Sequence, residues 1–124
     1  MSQLISKSQI ERSKKEEKFV LLTAEQVRKD FAMFGMDVEF SGNVSFAYEE
    51  LFNQLSVYIE NLLSSDSGKL MSLLYQIDLS EKELSKNDSN LQFETIPELV
   101  THKILERELK KVLIRTYFKE KGQD

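Results

Sequence analysis

Hydrophobic positions recur at helical spacing along most of the chain, and the interruptions are short. The longest periodic stretch runs from Thr95 to Lys121. Thr95 and Glu98 form a capping-box pair, in which the hydroxyl accepts from an early amide and the carboxylate reaches back to the Thr95 N–H. Pro97 lies in the first turn, where amides have no partner inside the helix anyway. Neither glycine nor a second proline follows before Gly122, so the pattern predicts one helix of roughly seven turns. With each residue advancing ~100°, Leu105, Leu109, Val112, Leu113 and Tyr117 share a side suited to the core. Another side gathers Lys103, Arg107, Lys110, Lys111 and Arg115. It is flanked by Ile96, Val100 and Ile104 near the start and by Ile114 and Phe118 near the end. Both sides therefore call for a partner.

Upstream, Tyr48, Leu51, Phe52, Leu55, Tyr58, Ile59, Leu62 and Leu63 fall on one face of a helix over 45–63, with Glu49, Glu50, Asn53, Glu60 and Asn61 opposite. Ser45 is its expected N-cap, and Ser64-Ser65-Asp66 should end it and cap the next helix. That helix, 67–77, carries Leu70, Leu73, Leu74 and Ile77 at core spacing, with Met71 and Tyr75 on a second side. Ser80 and Glu83 then open a short helix from Glu81 to Lys86, and a polar loop spans Lys86 to Asn90. Nearer the N-terminus, Thr23 with Gln26 reads as a capping box and Leu22 with Val27 as a hydrophobic staple. Together they predict a helix over 24–34 that ends at a left-handed Gly35. Between 36 and 46 the period shortens: Met36, Val38 and Phe40 alternate with Asp37 and Glu39 before a Ser41-Gly42-Asn43 turn. This segment reads as an irregular apolar loop in preference to a small hairpin, because two isolated strands are marginal.

The fold class is therefore all-α: a compact bundle of four to five helices, with 45–63 and 67–77 packed against the long C-terminal helix. Residues 1–18 form a polar segment with only Leu4, Ile5 and Ile10 to bury, so fraying is expected there. Residues 19–124 form a single helical domain. At 124 residues, 40% hydrophobic and 31% charged, the composition is that of a globular domain able to bury its own core. No apolar run approaches the ~20 residues of a membrane span, and no secretory leader is evident. With no cysteine, the chain is expected to be cytoplasmic. The net charge of −4 is unevenly spread: 1–18 carry +2, 19–65 carry −5, 66–98 carry −4 and 99–124 carry +3. A basic last helix lying on acidic neighbours is the economical explanation.

Catalytic chemistry finds little support. The single histidine, His102, lies in the second turn of the last helix beside Leu105 and Leu109, where a partly buried, hydrogen-bonded ring is the expectation. No cysteine is available for a thiolate zinc site, and no oxygen-rich calcium loop is present. The glycines are isolated, which excludes a P-loop and a dinucleotide fingerprint. No catalytic residue, metal, cofactor or small-molecule ligand is therefore inferred.

The segments KLMSLLYQIDLSEKEL (Lys69 to Leu84) and ELVTHKILERELKKVLIRTYF (Glu98 to Phe118) together resemble short, uncharacterised bacterial all-α proteins. The resemblance covers about half the chain. It implies an all-α bacterial protein and carries no activity. The functional expectation is a protein-interaction or assembly module, possible as a homodimer, that docks through Ile96, Val100, Ile104, Arg107, Lys110, Lys111, Ile114, Arg115 and Phe118. The alternative is a nucleic-acid-associated accessory protein using the basic side of the same helix.

Overall fold

The computed structural model describes residues 5–14, 16–85 and 95–121. It comprises six helices: α1 (Lys7–Ser13), α2 (Glu17–Ala32), α3 (Ala47–Ser65), α4 (Ser67–Ile77), α5 (Glu81–Ser85) and α6 (Ile96–Lys121), with a 3-10 turn at Val44–Phe46 before α3. Among the described residues there is no strand, and no helix is long and apolar enough to cross a membrane. The loop expected at Lys86 to Asn90 lies outside the described residues.

The expected caps at Asp66 and Thr95 form. Asp66 accepts from the Lys69 amide at 3.0 Å, and Thr95 and Glu98 exchange both capping-box bonds, at 3.2 and 3.3 Å. Gly35 is left-handed, with φ +76°, and the Met36 amide closes the end of α2 onto the Phe31 carbonyl at 3.0 Å. Two starts differ from expectation. The helix expected over 24–34 begins at Glu17, so Thr23 and Gln26 are interior residues, both buried against α6 instead of capping. The spacing that makes a capping box also puts two side chains on one helical face, and here the face is what the chain uses. Ser45 is not the cap of α3: Asn43 accepts from its amide at 3.1 Å and stabilises the 3-10 turn that leads into the helix.

Residues 36–43 form a loop, and α3 takes the place of a second strand. Met36 and Val38 are buried and Phe40 half-buried, as the alternation predicts. On the other side the Glu39 amide donates to Gln54 Oε1 at 2.8 Å while Gln54 Nε2 donates to the Glu39 carbonyl at 2.7 Å. Glu50 accepts from the Ser41 amide at 2.8 Å, and the Tyr58 hydroxyl donates to the Asp37 carbonyl at 2.6 Å. Four residues of helix rise ~6 Å and two residues of extended chain ~6.6 Å. Glu50, Gln54 and Tyr58 therefore meet alternate loop residues in register.

Helix α6 is the axis of the bundle. It packs most extensively on α3 and α2, and also touches α4 and α1. The main core joins Val27 and Phe31 of α2, Leu55 and Ile59 of α3, Leu73 and Ile77 of α4, and Ile104 of α6, each fully buried. A smaller cluster of Ile5, Leu109 and Leu113, with Ile10, Phe19 and Ile114 against it, fastens α1 to the far half of α6. The polar N-terminal segment thus contributes a capped helix, with Ser6 and Gln9 exchanging both capping-box bonds.

Candidate functional site

Where α1, α2, α3 and α6 converge they leave a cavity of about 300 Å³. Each of the longer helices contributes one stripe. Val20 and Thr23 come from α2, Ala47, Tyr48 and Leu51 from the first turns of α3, and His102, Leu105, Glu106 and Leu109 from α6; Lys14, at the end of α1, closes the ring. Three large helices meet here around two small side chains, Thr23 and Ala47, which is why the space stays unfilled. The walls are apolar, with Val20, Ala47, Leu51, Leu105 and Leu109 all buried.

A polar chain borders the cavity. The Tyr48 hydroxyl lies 2.7 Å from His102 Nδ1, and His102 Nε2 lies 3.5 Å from Glu106 Oε2. Glu106 also meets Lys14 at 3.4 Å, and Lys14 meets Glu11 at 3.2 Å. Nδ1 of His102 is thus engaged by the Tyr48 hydroxyl, while Nε2 is buried beside the Glu106 carboxylate. Burial, with the charge of Glu106 adding to it, pushes the Tyr48 hydroxyl up to about 12. It therefore stays a proton donor and is not an activated nucleophile. His102 is 7% exposed and hydrogen-bonded, as expected from its place on the helix. The Thr23 hydroxyl is buried, covered by neighbouring protein atoms, and has no hydrogen-bond partner among the described residues. The Thr101 hydroxyl is also without one, but it does not line the cavity.

A second polar cluster is sealed between α2 and α6. Asp30 and Glu108 are buried side by side, and Lys111 Nζ lies 3.2 Å from Asp30 Oδ2 and 3.0 Å from Glu108 Oε1. Gln26 donates to Asp30 at 3.1 Å and accepts from Arg115 at 2.7 Å. Burial, reinforced by the neighbouring Asp30, pushes the Glu108 carboxyl up to about 8. Burial alone would raise Asp30 too, but hydrogen bonds from Glu108 and Gln26 and the charge of Lys111 outweigh it and hold Asp30 below its ordinary value. Near neutral pH Glu108 therefore keeps its proton, while Asp30 is ionised and balanced by the Lys111 ammonium.

The residues expected to dock a partner are not brought together. Ile104 is fully buried in the core, and Lys111 belongs to the sealed carboxyl cluster; neither is open to a partner, because α2 covers that flank of α6. Arg107 pairs with Asp78 at 2.8 Å, Arg115 with Gln26, and Lys103 with the Glu83 carbonyl at 2.7 Å. Val100, Lys110 and Ile114 are half-buried. Only Ile96, Arg115 and Phe118 are exposed, and Ile96 and Phe118 stand at opposite ends of the rod, ~33 Å apart. Among the described residues, no group of three His, Asp or Glu side chains is positioned to hold a metal ion.

The cavity went unpredicted because its lining comes from four helices at irregular sequence separations. The nearest signal was Thr23, a small polar residue within an apolar stripe. Fold and site together define an all-α bundle with an apolar pocket bordered by a tyrosine–histidine–glutamate–lysine chain. No family model, curated protein or solved structure matches the chain.

Proposed function

We propose that this protein is a small binding module that holds a compact apolar molecule in the pocket between α2, α3 and α6. The observation that carries the reading is the cavity itself, walled by the buried Val20, Ala47, Leu51, Leu105 and Leu109 and edged by Tyr48, His102, Glu106 and Lys14. A ligand that fills the space removes from water apolar wall that the protein's own side chains leave uncovered. The site combines apolar walls with a few convergent polar groups, as small-molecule pockets do. Nothing in it supplies an activated nucleophile, so binding is favoured over catalysis.

The test is a thermal-shift and calorimetric screen of small apolar molecules against the wild-type chain and Ala47→Phe, which fills the cavity. Saturable binding that Ala47→Phe abolishes is expected. Binding unaffected by Ala47→Phe, or no saturable binding by any apolar probe, would overturn the reading.

A second reading retains part of the interaction expectation. Phe118 is 55% exposed and shares a turn of α6 with Arg115 and Ile114, which supports self-association through that end of the helix. Light scattering across a concentration range should then show a dimer that Ile114→Glu dissociates, whereas a strict monomer would dismiss it. The nucleic-acid reading is weakened by the engagement of Lys103, Arg107, Lys111 and Arg115 within their own chain.

A further inference from the structure

A second concavity lies between α2 and the second half of α6 and shares no lining residue with the apolar pocket. Each wall is a single helical stripe. Leu22, Glu25, Gln26 and Lys29 of α2 recur at three, four and seven residues. Val112, Arg115, Thr116 and Lys119 of α6 repeat the same spacing. Seven residues of helix rise ~10 Å, which sets the length of the groove, and its volume is about 260 Å³. The charges along it are unequal: Lys29, Arg115 and Lys119 face one acid, Glu25, in a chain whose net charge is −4.

Elsewhere on α6, Arg107 is answered by Asp78 and Lys111 by Asp30. In the groove, neither the Lys29 nor the Lys119 ammonium has a partner among the described residues. The Arg115 guanidinium meets only a neutral amide there, its Nη1 donating to Gln26 Oε1 at 2.7 Å, and Gln26 is itself fixed by donating to Asp30 at 3.1 Å. The guanidinium is thus held in place with its charge uncompensated and further donors to spare. A phosphate monoester carries a charge of about −1.5 to −2 near pH 7, which matches three cations less one acid, and its oxygens suit the guanidinium fork. One phosphate group is shorter than the groove, and Leu22 and Val112 supply an apolar wall for what is attached to it. We infer that this groove is a site for a small organic phosphate, held through its phosphate by Arg115 with Lys29 and Lys119 as counter-charges, distinct from the proposed apolar site.

The experiment is calorimetric titration of the full chain with ribose 5-phosphate and AMP, with ribose and adenosine as their uncharged counterparts, and with inorganic phosphate, near neutral pH and low salt. At least one ester should saturate the chain at one-to-one stoichiometry, and its uncharged counterpart should not. Inorganic phosphate should bind about three- to ten-fold more weakly than that ester, because it leaves the apolar wall uncovered. Arg115→Gln should weaken the ester by about ten-fold or more, and Lys29→Gln and Lys119→Gln by about two- to five-fold each. Lys82→Gln, on α5 and outside the groove, should leave it unchanged. Neither ester saturating, inorganic phosphate binding as tightly as the esters, or Lys82→Gln weakening the ester as much as the groove variants do would overturn the inference. So would an affinity indifferent to Arg115, Lys29 and Lys119. Far-UV circular dichroism checks that each variant folds. Lys29 and Lys119 are exposed, so their variants keep the test decisive if loss of the Arg115 bond to Gln26 loosens the bundle.

Discussion

Replacing Glu108 with glutamine should remove most of the pH dependence of folding between about pH 5 and 8. The Glu108 carboxyl is fully buried, and its pKa rises from an ordinary 4.5 to about 8. Between those values the unfolded chain has released a proton that the folded chain still holds. Stability is therefore complete below the lower value and falls as pH rises toward the upper one. The slope approaches ~1.4 kcal/mol per pH unit for one proton, which sets a ceiling of ~5 kcal/mol across the interval. Because the charge of Asp30 couples the two titrations, this ceiling applies to the pair. Asp30, held below its ordinary 3.8, acts at the acid end: its contribution is present above that value and is lost as pH falls through the lowered one. Glutamine reproduces the shape of the neutral acid, can donate to Asp30 and accept from Lys111, and does not titrate. Urea unfolding followed by circular dichroism from about pH 5 to 9, at fixed ionic strength, should show the wild-type midpoint falling while that of Glu108→Gln stays nearly level. Equal slopes for the two proteins, or a wild-type midpoint that rises over this range, would refute a buried neutral carboxyl.

Two further outcomes follow from local geometry. Gly35→Ala should destabilise the chain by ~1 kcal/mol, because Ala must adopt the left-handed φ of +76° that Gly35 holds while nothing lies within 4 Å to clash; an unchanged urea midpoint would contradict this. Gln54→Ala removes both bonds to Glu39 and should cost ~1 kcal/mol, with faster amide exchange at Glu39 and little change in the core. Unaltered exchange at Glu39 would mean that α3 does not pin the loop.

Much of the fold was legible because it depends on near neighbours in the chain. The alternation of Met36, Val38 and Phe40 identified a segment with one buried side, but it could not show that helix side chains would satisfy the backbone in place of a strand. The excess of acid around Asp30 and Asp78 and of base in the last helix foretold their pairing. It did not show that the pairing would occupy the very cations expected to meet a partner. The breadth of apolar positions around the last helix likewise demands cover on several sides. The expectation that part of that cover would come from outside did not allow for α2, whose helix starts a full turn and more before Thr23.

Helix-forming stretches, most of their caps, the left-handed glycine and the all-α class were set by sequence alone, since these depend on contacts within about four residues along a helix. The enclosure of α6, the raised carboxyl of Glu108 beside Asp30, and the pocket between α2, α3 and α6 were decided only by tertiary packing. Each depends on which side chains from distant helices meet and on whether their volumes and charges match, and that information is absent from the spacing within any one segment.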